Sequence, residues 1–127
     1  MKILLVEDEA ALADVMARNL RVRHHDVDVE ATAEAAILRM SEAWPDVLVL
    51  DVNLPDLTGW EILRRLSSTD RNRVRVVVIS AAPISQKRID EFKPERALQK
   101  PFPIDALIRA LGEVMPALAP ADEKEES

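Results

Sequence analysis

The 127 residues suffice for one hydrophobic core, and 48% apolar with 31% charged residues is the balance of an ordinary globular domain. A net charge of −6, a pI near 4.9 and 3% aromatics argue against a nucleic-acid binder, which needs phosphate contacts or stacking platforms. The absence of cysteine excludes disulfides, thiolate nucleophiles and cysteine-bound zinc, and two glycines cannot build a Gly-rich nucleotide loop.

At the start, MKILLVEDEA, acids interrupt the apolar stretch too early for a signal peptide, and no apolar run approaches the ~20 residues of a membrane span. A cytoplasmic location with no membrane contact is therefore expected. Residues 3–6, ILLV, predict a short strand closed by Glu7, Asp8 and Glu9. ALADVMARNL follows as a helix, with Leu12, Val15, Met16 and Leu20 as its expected apolar face. RVRHH (21–25) reads as a solvated helix end, with His24 and His25 exposed. Val27 and Val29 alternate with acids, the pattern of an edge strand. Thr32 is the expected cap of a helix carrying Ala35, Ala36, Ile37 and Met40, which must stop at Trp44-Pro45.

VLVL (47–50) predicts a strand buried on both faces, ending on Asp51. A helix is expected from about Thr58 through Leu66, with Ser67, Ser68 and Thr69 as its terminus and a turn. RNRVR (71–75) is read as solvated charge leading into a strand, VRVVVI (74–79), that ends at Ser80. QKRIDEF predicts a short helix stopped by Pro94, ALQ (97–99) a strand leading to Lys100, and PIDALIRALGEVM an amphipathic final helix. Five strands alternating with five helices define an α/β domain, a doubly wound parallel sheet covered on both faces, over residues 1–116. Residues 117–127, acidic and poor in apolar side chains, are expected to be a disordered tail.

Open parallel sheets bind ligands beyond the carboxyl ends of their strands. The residues expected there are Glu7 and Asp8, Asp51, Ser80 and Lys100. Clustered carboxylates repel one another unless a cation neutralises them, and a set of oxygen donors favours Mg²⁺. Asp51 is then a carboxylate nucleophile toward a phosphoryl group, with Lys100 and Ser80 serving its oxygens.

From Lys2 to about Met115 the chain resembles a response-regulator receiver domain of two-component signalling. The resemblance rests on Glu7-Asp8, Asp51, the Asn53-Leu54-Pro55 turn reaching Gly59, Ser80-Ala81 and Lys100-Pro101-Phe102, in family order and near family spacing. It implies a flavodoxin-like sheet of strand order 2-1-3-4-5. It also implies Mg²⁺ held by Asp8, Asp51, the Asn53 backbone carbonyl and Glu7 (largely through water), and a cis Lys100-Pro101 bond. The implied donor is a phosphohistidine on a sensor histidine kinase or phosphotransfer protein. The implied output is a change in contacts with a downstream protein. Such a domain promotes its own phosphorylation and dephosphorylation without being a conventional turnover enzyme.

Two departures bear on output. Ala97 stands where receivers often carry a switching aromatic, and the Ser80–Lys100 segment is short and lacks the common glycine before the last strand. A pseudo-receiver that binds a partner without phosphorylation is therefore the alternative. A haloacid-dehalogenase-like phosphatase needs a general acid where Asn53 stands, and the chain has no room for its cap domain. Trp44 and Trp60 are expected to pack in or cap the core.

Overall fold

The computed structural model describes residues 1–114. The acidic segment 117–127 lies outside the described residues, as does the expected end of the last helix at Met115.

Five strands form one parallel sheet: β1 (Lys2–Val6), β2 (Asp26–Glu30), β3 (Val47–Asp51), β4 (Arg75–Ser80) and β5 (Arg96–Gln99). Their spatial order is β2-β1-β3-β4-β5, as the resemblance implies. Side chains alternate across a strand, so each central strand feeds two cores. Ile3, Leu5, Val47, Val49, Val77 and Ile79 enter one layer, and Leu4, Val6, Leu48, Leu50, Val76 and Val78 the other. All are buried. Burying each such side chain stabilises the fold by roughly 1.5–3 kcal/mol, which is why the strands read as unbroken apolar runs.

The first layer is closed by α1 (Ala10–Arg21) and α6 (Ile104–Val114), the second by α2 (Ala33–Glu42), α3 (Gly59–Arg64) and α5 (Gln86–Phe92). A further turn, α4 (Ser68–Arg71), makes six helices among the described residues where the sequence reading expects five. Ser67 is the cause: its hydroxyl accepts from Asp70 N at 3.0 Å and starts a new turn just after α3 has ended.

The apolar face of α1 also differs from expectation. Ala13, Met16, Ala17 and Leu20 are buried, while Val15 is 44% exposed and Leu12 lies at the flank. The buried stripe runs through 13, 16, 17 and 20, one face at helical spacing, which leaves Val15 off that face. On α2, Thr32 caps as expected, its hydroxyl accepting from Ala35 N at 3.2 Å. Trp60 is buried and Trp44 packs partly buried against the same core layer.

The basic clusters are not merely solvated. Arg21 donates to Val27 O at 2.8 Å. Arg71 donates to Val74 O at 2.9 Å and to both Lys93 O and Glu95 Oε1 at 3.0 Å. Guanidinium can serve several acceptors at once, and loop carbonyls left over at strand starts need donors. His24 is exposed with φ 70°, but His25 is half-buried, its Nδ1 buried without a partner among the described residues.

Candidate functional site

The carboxyl edge of the sheet gathers side chains from four loops. Glu7 follows β1 directly and is 1% exposed; its backbone N–H donates to Glu30 O at 3.0 Å, prolonging the β1–β2 pairing. Asp51 closes β3 and is 2% exposed. Lys100 follows β5, where its backbone N–H donates to Ser80 O at 2.7 Å. From there its ammonium reaches across to lie 3.0 Å from Asp51 Oδ2 and 2.9 Å from Glu7 Oε1. The Lys100-Pro101 bond is cis, as the resemblance implies.

The two buried carboxylates are otherwise sparsely served. Asp51 Oδ1 accepts from Asn53 N at 2.9 Å, and Glu7 Oε2 from Glu9 N at 3.0 Å. The Lys100–Glu7 contact is an ion pair whose angle does not make a hydrogen bond, so buried Glu7 Oε1 has no hydrogen-bond donor among the described residues. Burial pushes the Glu7 carboxyl from 4.5 up to about 7; Lys100 and the Glu9 N–H oppose the rise, and neighbouring Asp51 adds to it. Burial alone would lower the Lys100 ammonium, but the carboxylates of Glu7 and Asp51 beside it together outweigh that and hold it above 10.5.

Asp8 is exposed beside this pair, and one carboxylate oxygen each from Glu7, Asp8 and Asp51 lie within 4.8 Å of one another. When all three carboxylates are ionised, the single ammonium leaves two negative charges uncompensated. A divalent cation supplies that balance, and an all-oxygen donor set with an orphaned buried oxygen suits a hard ion such as Mg²⁺.

Glu7, Asp8, Asp51 and Lys100 are thus brought together as the sequence reading expects. Ser80 ends β4 at the same edge, but its hydroxyl is turned into its own loop, donating to Ala82 O at 2.7 Å and accepting from Ala82 N at 3.2 Å. Asn53 sits beside the cluster in the β3–α3 loop and touches it through its backbone N–H. That loop closes on itself by a bridge between Asn53 and Thr58 and by Gly59 N donating to Val52 O at 2.9 Å. Gly59 permits this close return: a Cβ there would lie 2.6 Å from the Asp51 carbonyl oxygen and 2.9 Å from Val52 Cα.

Two features were not foreseen from the sequence. Asp56, in the same loop, accepts from Ala33 N at 2.9 Å and Glu34 N at 3.0 Å at the start of α2. An acid after a turn proline is a visible signal, but its partners lie 23 and 22 residues away. The second is an aromatic stack of Trp60 on Phe92, ring centroids 5.1 Å apart, flanked by Arg64 and Arg88, which ties α5 to α3.

The five-stranded parallel sheet, with its carboxylates and lysine at one edge, has the architecture of a receiver domain. The family model described as response regulator receiver domain matches residues 3–112, and the chain belongs to that family, the receiver domains of two-component response regulators. The transcriptional regulatory protein CutR of Streptomyces coelicolor is 36% identical over 117 residues, 88% of this chain and 54% of that protein. The transcriptional regulatory protein TrcR of Mycobacterium tuberculosis is 43% identical over 70 residues, 55% of this chain and 27% of that one. The chain thus spans about half the length, or less, of these curated relatives. Among solved structures, the chemotaxis response regulator CheY4 of Vibrio cholerae shares the fold at a TM-score of 0.81 and 22% identity, covering 89% of this chain and 97% of that one. The beryllofluoride-activated DrrB receiver domain matches at 0.77 and 25%, covering 90% and 96%. No helix among the described residues is long and apolar enough to cross a membrane.

Proposed function

We propose that this receiver accepts a phosphoryl group on Asp51 from a phosphohistidine of a sensor histidine kinase or histidine phosphotransfer protein, and that the new charge alters its contacts with a downstream protein. The observation that carries the reading is Lys100, whose ammonium joins buried Asp51 and Glu7 beside a third carboxylate on Asp8.

In the transfer, a carboxylate oxygen of Asp51 forms a bond to phosphorus as the phosphorus–nitrogen bond breaks. The electron pair leaves with the imidazole nitrogen, and the product is an aspartyl phosphate. Lys100 is within reach of the oxygen that becomes phosphorylated and can follow the charge onto the phosphoryl oxygens. The Ser80 hydroxyl spends its proton on Ala82 O and can exchange that acceptor for a phosphoryl oxygen. Glu7, Asp8 and Asp51, with the Asn53 backbone carbonyl, are the groups that would hold Mg²⁺. When bound, the ion supplies neutralisation between the carboxylate and the incoming phosphoryl group.

Acetyl phosphate with Mg²⁺ should add one phosphoryl group by intact mass, and Asp51→Asn should abolish the addition. Persistence in Asp51→Asn moves the acceptor elsewhere. One observation favours binding without phosphorylation as a second reading: exposed Ala97, standing where the family often carries its switching aromatic. No addition to the wild type would favour it. The site lies on a domain proposed to work in the cytoplasm, with Mg²⁺ and protein partners and no direct nucleic-acid contact.

A further inference from the structure

The β3–α3 loop, residues 52–58, carries the Asn53 carbonyl, and something must hold that loop at a fixed distance from Glu7 and Asp8. Its two ends are anchored to the sheet: Val52 N donates to Ile79 O at 2.9 Å and Gly59 N to Val52 O at 2.9 Å. Between them the Asn53–Thr58 bridge narrows the loop, and Pro55 at its tip offers no donor.

Asp56 supplies the missing tie. Its two carboxylate oxygens each take one of the first free N–H groups of α2, Ala33 at 2.9 Å and Glu34 at 3.0 Å. Those N–H groups carry the positive end of a ten-residue helix, which favours an anion. The same two bonds hold the Asp56 carboxyl below its ordinary 3.8. Thr32 takes the next N–H, that of Ala35, so the helix has a cap of its own besides. The chain reaches Thr32 directly from β2, whose Glu30 carbonyl accepts from Glu7 N at 3.0 Å. The ends of β1, β2 and β3 are therefore laced into one ring around the acid cluster, and Asp56 closes it.

We propose that Asp56 is a positioning residue, which holds the Asn53 carbonyl at the cation site through its bonds to the start of α2. The proposal rests on the reading of Asp51, Asn53 and the acid pair as a Mg²⁺ and phosphoryl site. Asp56 touches neither ion nor phosphoryl group; it acts by keeping the loop closed before either arrives.

The test compares two cap deletions on the same helix. Asp56→Ala and Thr32→Ala each remove side-chain acceptors from the start of α2, but only the first frees the loop. Mg²⁺ binding is measured by calorimetry with MgCl₂, and phosphorylation by acetyl phosphate through intact mass against time. Asp56→Ala should weaken Mg²⁺ binding about five- to tenfold and slow phosphorylation in step. Thr32→Ala should lower the urea midpoint yet bind Mg²⁺ within about twofold of the wild type. Asp56→Asn, which keeps one acceptor oxygen, should fall between, and serves if the alanine variant does not fold. Equal loss in Asp56→Ala and Thr32→Ala would make Asp56 a cap and nothing more, overturning the proposal, as would unchanged affinity in both Asp56 variants. A wild type that takes up neither Mg²⁺ nor phosphoryl overturns the site reading itself, and this proposal with it.

Discussion

Gly59→Ala probes the junction where the acceptor strand turns into α3. The added Cβ would lie 2.6 Å from the Asp51 carbonyl oxygen, 2.9 Å from Val52 Cα and 3.0 Å from Leu50 Cγ, where ordinary contact begins at 3.4 Å. The worst overlap is thus about 0.8 Å, and the two nearest atoms are backbone. Strand β3 cannot yield, since it is paired on both sides by β1 and β4. The start of α3 must move instead, stretching the 2.9 Å bond from Gly59 N to Val52 O beyond hydrogen-bond range. Overpacking costs roughly 1–3 kcal/mol and a lost backbone bond about 1 kcal/mol. Reduced freedom of the unfolded chain returns about 0.4–1 kcal/mol. The net loss is about 2 kcal/mol, or close to 1 M in urea midpoint at a slope of roughly 2 kcal/mol/M. Equilibrium unfolding in urea measures it, and the emission of Trp60, the next residue, should shift in the native state. A midpoint within about 0.2 M of the wild type, with unchanged Trp60 emission, would refute the steric reasoning.

Other outcomes test other parts of the fold. Because bonds to Ala33 and Glu34 depress the folded Asp56 carboxyl, its stabilising contribution is complete above 3.8 and fades as pH falls through the lower folded value. The gap in urea midpoint between wild type and Asp56→Ala should therefore narrow only below about pH 4, and a gap that closes near neutrality would contradict the assignment. Phe92→Ala should free α5, which has no fully buried residue of its own, giving faster amide exchange over Gln86–Phe92 and a stability loss of roughly 1–2 kcal/mol. Arg71→Ala should cost about 1–2 kcal/mol in urea unfolding through its three acceptors. Arg71→Lys should recover little of that, since a single ammonium cannot span Val74, Lys93 and Glu95.

What the sequence by itself determined were the features that depend on near neighbours along the chain. Apolar runs located β1, β3 and β4, alternation with acids located β2, Thr32 declared a helix start, and Pro94 ended QKRIDEF, because periodicity, capping and proline geometry act within a few residues. Once five strands are parallel, Glu7, Asp8, Asp51, Ser80 and Lys100 must share one edge, so their gathering there was legible too. Orientation was not. Only the packed molecule decided that the Ser80 hydroxyl bonds within its own loop, that Val15 faces solvent while Ala13 and Ala17 are buried, and that Asp56 binds a helix 23 residues earlier. These outcomes depend on which surfaces meet after the chain has doubled back. Hydroxyls and carboxylates then take the nearest unsatisfied partner in space, and spacing along the chain holds no record of that distance.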